Sequence, residues 1–414
     1  MFLYYFMNIN SYLLKLIKNN RQKLIFILHL FLIFKILFQF IFTQDNIFFK
    51  LEKYPSNLYG DQGFYDNTAV RLSLGLGYVD NNLKPTMAYQ IGYPLFIASI
   101  YIILRSYEII VIIQILLLLF SYYLLFQIIL KFLDQTTPLV LFFFLIFFNH
   151  NISKWVFYLM SETLGLFFFC SFLFLFYEYS RKGKKILLIF AALSFGFLIL
   201  VRPIFYLFVY FILILSLIYL KDKKTILIFT LICIITIAPY LIRNFLTFNY
   251  ASLGSGGGLN LYIGLTHSDP NNVLKRDWGE LSSNRYEIKK MDNLFIKEIK
   301  NYVRNKPISA LLNYLKNIDS LLGGLIFEEF KFSRILSIQN YIIFIFNFIF
   351  LYRNIFKKFI SNMFIFIINI LFLYLSLIQP LFISDQRQGI FLVTCSYLLF
   401  VLFNLPLKLW LSKN

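Results

Sequence analysis

The sequence predicts an all-α integral membrane protein, with about ten transmembrane helices and two extracytoplasmic loops that carry short surface helices. Three observations predict it. Of 414 residues, 59% are apolar and only 14% are charged, against about 45–50% and about 25% in a soluble chain. Apolar runs near 20 residues recur along the chain, long enough to cross a bilayer. Basic clusters punctuate those runs at regular parity. Together these exclude a secreted disulfide scaffold, a disordered tail protein and an ordinary cytosolic enzyme.

The spans are expected near 24–43, 108–130, 137–150, 156–177, 186–201, 203–220, 225–242, 338–352, 360–379 and 389–406. The segment 93–104 is apolar but too short to cross, and reads as a half-helix lying at the outer surface. No small-residue cleavage site follows the first run, so it reads as a retained span and not as a signal peptide. The net charge of +19 (39 basic minus 20 acidic residues) would suggest nucleic acid in a soluble protein. Here the basic residues lie between spans and read as topology determinants facing membrane lipids. Lys15, Lys18, Arg21 and Lys23 precede the first span, and Lys131, Arg181–Lys185, Lys221–Lys224, Arg353 and Lys357–Lys358 follow alternate later ones. All fall on one side if both termini are cytoplasmic, as expected for a multi-pass protein of the inner (plasma) membrane. No nucleic-acid partner is implied.

That layout divides the chain into three parts. Residues 1–242 form a membrane domain whose first outer loop, 44–107, is the candidate for chemistry. Residues 243–337 form an outer region entered through a Gly-rich stretch, and 338–414 are C-terminal transmembrane helices. The loops on the inner side are short hairpins, whereas long structured loops are usually functional. Cys170, Cys233 and Cys395 lie inside apolar runs with no CxxC and read as packing residues. His29, His150 and His267 are isolated. No cofactor is implied and no metal site is indicated.

In the first outer loop, Asp61 opens a helical pattern in which Phe64, Tyr65, Thr68, Ala69 and Leu72 recur at three- to four-residue spacing. Asp61 therefore shares a face with Tyr65. It reads either as a helix cap or as a working acid, and Asp66 is an alternative for the second role. Tyr93 and Pro94 lead into the half-helix. At the outer ends of spans stand Glu162, Arg202, Arg243 and Arg387. Arginine suits phosphate through its planar fork. Glycoside hydrolysis needs two carboxyl groups, because the departing alkoxide must be protonated. A sugar leaving from phosphate needs only one carboxylate to deprotonate the incoming hydroxyl, plus cations on the phosphate. The stretch Gly254–Leu261 contains Gly257, Gly258 and Asn260 and reads either as an anion nest or as a flexible entry. Residues 284–316 read as an amphipathic helical segment broken at Lys306-Pro307, packing over the site.

In order along the chain, these motifs are Asp61 with Tyr65, Gly92-Tyr93-Pro94-Leu95, Ser161-Glu162, Arg202-Pro203, Pro239–Asn244 and the glycine run. The set resembles the polytopic C-type glycosyltransferases of the protein O-mannosyltransferase superfamily (glycosyltransferase family 39 and its bacterial relatives). These include aminoarabinose transferases and lipopolysaccharide glycosyltransferases. The resemblance implies an inverting transfer of a hexose or pentose from a polyprenyl-phosphate donor to a hydroxyl on a lipid, glycan or protein acceptor, at the outer face. It implies Asp61 as base and Arg202, Arg243 and Arg387 as donor-phosphate ligands. Gln62, Tyr65, Asp66, Tyr93, Glu162, Gly257, Gly258 and Asn260 are its substrate-site candidates. Family members commonly carry Glu after this Asp; Gln62 here removes a neighbouring charge and argues against a metal contact. The competing readings are a transporter or flippase of lipid-linked saccharide, which would need mid-membrane charges and inverted repeats, and an O-antigen-type ligase or polymerase, which would shift importance to 243–337.

Overall fold

The structure is a computed structural model that describes residues 21–42, 60–133, 137–149, 153–210, 223–254, 256–268, 288–323, 338–355, 363–382 and 389–411. These residues are helical apart from turns, short connections and one isolated bridge between Val79 and Pro85. In chain order the helices are α1 (Arg21–Phe42), α2 (Gly60–Ser73), α3 (Gly92–Tyr101), α4 (Tyr107–Leu133), α5 (Thr137–Phe148), α6 (Glu162–Lys182) and α7 (Lys185–Val201). They continue with α8 (Lys223–Phe248), α9 (Gly257–Thr266), α10 (Ile288–Asn305), α11 (Pro307–Leu322), α12 (Ile338–Ile355), α13 (Met363–Leu377) and α14 (Ile390–Leu411). Single 3₁₀ turns occupy Trp155–Phe157 and Gln379–Leu381.

Among the described residues, four helices are long and apolar enough to cross a membrane: α1, α4, α6 and α8. Of the other expected spans, those at α5, α7 and α13 are shorter helices. α5, for example, has 12 residues, a rise of about 18 Å against a hydrocarbon core of about 30 Å. The expected span at 203–220 is described only to residue 210, where 204–210 is helical. The half-helix expected at 93–104 is α3.

Two boundaries differ from the sequence reading, each for a physical reason. The span expected from 156 starts instead at Glu162, because the backbone turns extended at Tyr158. The carbonyls this break exposes are taken up by α4. Gln114 Nε2 donates to Val156 O at 2.9 Å and to Tyr158 O at 3.0 Å, and the Tyr107 hydroxyl donates to Phe157 O at 2.8 Å. The span expected to end at 242 runs on to Phe248 through Pro239, held there by the contacts of Arg243 and Asn244 described below.

α6 and α7 form an antiparallel hairpin. Gly183 ends α6 with φ of 65°, the left-handed conformation that glycine adopts without a Cβ penalty. At this end of the bundle Glu178, buried, accepts from Lys131 at 2.9 Å, Arg181 at 3.3 Å and Lys182 at 2.5 Å. The basic residues that end α4 and α6 therefore share one end, and Glu162 with Arg202 mark the opposite one. There α3 crosses the last turn of α7 in close contact. A Cβ on Gly92 would stand 2.7 Å from the carbonyl carbon and oxygen of Leu200. Gly92→Ala is expected to cost about 1–3 kcal/mol, the range for overpacking, and to displace Arg202. Thermal unfolding in detergent measures it, and an unchanged midpoint would mean the two helices separate freely.

The second packing unit is built on α9, α10 and α11. Met291, Phe295 and Ile299 of α10 bury one face against Leu259 and Tyr262 of α9, together with Met87 and Phe248. The described part, 288–316, of the amphipathic segment expected at 284–316 is thus two helices, and Pro307 starts the second as expected.

Candidate active site

Asp61 stands in the first turn of α2, half-buried, and its Oδ1 accepts a hydrogen bond from the Tyr89 hydroxyl at 2.8 Å. One turn on, Tyr65 is 5% exposed and packs edge-on against Tyr89 and Tyr93, with ring centroids 5.5 and 5.1 Å apart. Its hydroxyl pairs with Ser161, and it lies within electrostatic reach of Arg202, Asp61 and Glu162. Burial pushes the Tyr65 phenol up to about 12, an effect to which the two carboxylates add and which Arg202 opposes. It therefore remains protonated across the physiological range. The three-to-four spacing seen in the sequence is what brings Asp61 and Tyr65 onto this one face.

Glu162 and Arg202 form a buried ion pair at 2.5 Å, with side chains 1% and 16% exposed. Arg202 follows the last turn of α7, and its guanidinium lies 5.8 Å from the Phe391 ring centre of α14. Its Nε is buried with no hydrogen-bond partner among the described residues. Gly165, one turn into α6, leaves the room: a Cβ there would stand 3.2 Å from the Arg202 side chain.

Arg202 lines a cavity of about 320 Å³. Its walls are amphipathic. Gln90, Ser252, Asn260, Gln379 and Gly256–Gly257 supply polar surface, whereas Pro203, Ile204, Leu207, Leu241, Phe382 and Phe391 supply apolar surface. Asp61 does not line this cavity. Tyr89, which holds its carboxylate, is the chain neighbour of Gln90 in the cavity wall, and Tyr65 lies within electrostatic reach of both Asp61 and Arg202.

The other expected site residues go elsewhere. Arg243 donates to Thr86 O at 2.7 Å, to Tyr78 O at 2.8 Å and to Asn244 Oδ1 at 2.8 Å, between the rings of Tyr78 and Phe248. It clamps the 78–86 turn onto α8. Tyr93 donates to Gln114 Oε1 at 2.8 Å and joins α3 to the network that stabilises the 156–158 break. Gln62 Oε1 accepts the Leu159 N–H at 3.3 Å and ties α2 to the same break. Asp66 accepts from the Tyr101 hydroxyl at 2.6 Å, and burial raises its carboxyl above the usual range, opposed by that bond and by Arg105. Arg387 lies outside the described residues.

The glycine run opens α9. Its Gly258 N–H donates at 3.0 Å to Asp292 Oδ1 of α10, whose Oδ2 accepts from the Tyr250 hydroxyl at 2.8 Å. This backbone donor of the expected nest is thus occupied by a carboxylate of the chain itself, while Gly257 and Asn260 remain exposed at the cavity. Burial raises the Asp292 carboxyl despite both hydrogen bonds. A raised native value means stability that is complete below the unfolded value and lost as pH rises through the native one. Deuterium exchange of α9 amides is therefore expected to quicken as pH rises through the Asp292 titration, after correction for intrinsic rates. Asp292→Asn should flatten that dependence; an identical dependence in the variant would remove Asp292 as its source.

Among the described residues, no three His, Cys, Asp or Glu side chains gather to hold a metal ion. Sequence reasoning also missed Tyr89, Gln90, Gln379, Phe391 and Asp292. Tyr89 and Gln90 adjoin the Gly92-Tyr93 motif, which is the one signal that could have pointed to them.

No protein-family model matches this sequence, and no curated protein matches it. The likeness is structural. The chain is similar to the archaeal oligosaccharyltransferase AglB from Archaeoglobus fulgidus, solved in complex with an inhibitory peptide and a dolichol-phosphate, with a TM-score of 0.51 at 10% identity. The match covers 93% of this chain and 51% of that one, so the chain spans about half the length of the enzyme it matches. At this identity the likeness is one of fold.

Proposed function

We propose that this chain is a multi-pass membrane glycosyltransferase that moves one sugar from a polyprenyl-phosphate donor to a hydroxyl acceptor, with inversion at the anomeric carbon. The observation that carries the reading is Arg202. Its guanidinium is fixed by Glu162 at the wall of an amphipathic cavity, with Nε unpartnered. The likeness in fold to an enzyme solved with dolichol-phosphate supports the lipid-linked donor class.

In this reading the donor phosphate meets Arg202, and the apolar wall at Ile204, Leu207 and Leu241 takes the start of the isoprenoid chain. Asp61 takes the proton of the acceptor hydroxyl as its oxygen bonds to the anomeric carbon. The bond from that carbon to the phosphate oxygen breaks, and polyprenyl phosphate leaves with its charge neutralised by Arg202. Tyr89 fixes one carboxylate oxygen of Asp61, and the protonated Tyr65 lies within electrostatic reach of both that carboxylate and the ion pair. About ten spans, with the site on the outer face and both termini inside, remain part of this proposal. So do Arg387 as a further phosphate ligand and Gly257 and Asn260 as contacts to the sugar.

Incubating membranes that contain the chain with radiolabelled polyprenyl-phosphate hexose or pentose tests the reading. Label should pass to a membrane or protein fraction and polyprenyl phosphate should be released. Donor consumption that matches membranes lacking the chain would overturn it.

A further inference from the structure

The N-terminal part of α11 buries two asparagines beside Ala310 and exposes apolar residues. Asn313 Nδ2 donates to Leu265 O at 2.9 Å, and Asn317 Nδ2 to Gly264 O and Pro380 O, both at 2.8 Å. The outward apolar positions of α11 over its first nine residues are Ile308, Leu311, Leu312 and Leu315, which are 73%, 58%, 45% and 41% exposed. The spacing of three, four and seven places them on one stripe. A stripe of this kind facing water is costly, and a contiguous apolar surface marks a contact with something apolar.

The height of the helix in the fold says what that is. The Tyr314 hydroxyl donates to Leu377 O at 3.1 Å, the last residue of the apolar helix α13. Leu377 is itself 48% exposed, so the stripe continues the apolar surface of the bundle at the level where α13 ends. Exposed Lys306 stands two residues before the stripe and exposed Lys316 immediately after it. Lysines bracketing an apolar helical face suit a lipid surface, because their stems lie along hydrocarbon while the ammonium reaches headgroup oxygens.

We propose that α11 lies in the plane of the membrane interface, with Ile308, Leu311, Leu312 and Leu315 among the acyl chains and Lys306 and Lys316 against anionic headgroups. The proposal rests on reading the chain as a membrane protein. It gives the asparagines a purpose, since they hang α9 from this anchor. α9 carries Gly257 and Asn260 of the cavity wall, so the cavity is held at the leaflet surface where a lipid-linked molecule presents its polar end.

Nitroxide labels on Leu311→Cys, Leu315→Cys, Lys297→Cys and Phe34→Cys test it, in nanodiscs of phosphatidylcholine with phosphatidylglycerol. The unsubstituted chain, whose three cysteines are buried, supplies the background. Phe34 is an exposed apolar residue of the apolar helix α1, and Lys297 an exposed lysine of α10. Labels at Leu311 and Leu315 should collide readily with oxygen and poorly with a nickel chelate, as at Phe34, whereas Lys297 shows the reverse. If Phe34 is bilayer-like and Leu311 behaves like Lys297, the interfacial placement is wrong. Shielding of Leu311 from both reagents, or coupling between labels on two copies, would put protein on the stripe and overturn the lipid assignment. A nickel-accessible Phe34 would instead overturn the membrane reading itself. Equal depth at Leu311 with and without phosphatidylglycerol would remove the headgroup contact of the two lysines.

Discussion

Asp61→Asn is expected to leave the protein folded and able to take up donor, while slowing sugar transfer about 10²- to 10⁴-fold, the contribution of a positioned general base. The substitution keeps shape and keeps an oxygen to accept the Tyr89 hydroxyl, which stands 2.8 Å from the carboxylate. It removes only the capacity to take a proton. The comparison with Asp66→Asn sharpens the test. Asp66 lies on the same helix, but its Oδ1 is tied to Tyr101 at 2.6 Å and burial favours its protonated form. Its amide should therefore substitute with little effect on rate. Initial rates at saturating labelled donor, with thermal stability of each variant alongside, make the measurement. A transfer rate in Asp61→Asn equal to the unsubstituted protein would remove Asp61 as the base. A large loss in Asp66→Asn with unchanged stability would move the role there.

The parts of the fold that could be read from the sequence are those that depend on near neighbours. The helix at 60–73 follows from the spacing of Phe64, Tyr65, Thr68 and Leu72. The division at 306/307 follows from proline having no N–H to donate and a φ that suits a helix start. What sequence could not show is which polar group meets which. Arg202 and Arg243 look alike as arginines at the ends of apolar runs. In the structure one stands at a cavity beside a carboxylate 40 positions away, and the other clamps two carbonyls more than 150 positions away. The break at Tyr158 was equally hidden, because it persists through Gln114 and Tyr107 on another helix. The glycine run shows the same limit. Its composition permits a nest, and only the fold reveals that Asp292 occupies the Gly258 amide.

Arg202→Lys is the second decisive variant. Lysine keeps a positive charge for the Glu162 carboxylate, so the buried pair persists and the protein should fold. It loses the planar fork, and with it the Nε donor that has no partner among the described residues. If the guanidinium fork meets the donor phosphate as charge develops, transfer should fall about 10²- to 10³-fold, the cost of removing one such group. Glu162→Ala separates positioning from folding. Breaking a buried ion pair costs about 3–5 kcal/mol, and Glu162 is 1% exposed at 2.5 Å from the guanidinium, so this variant should melt earlier. It should also bind donor less tightly, because Arg202 is no longer held toward the cavity. The two variants predict different signatures: a loss in kcat with near-normal stability for Arg202→Lys, and a lowered Tm with raised KM for Glu162→Ala. Full transfer activity in Arg202→Lys would leave the pair a structural brace between α6 and α7. The donor phosphate would then have to be sought at another cation of this end of the bundle.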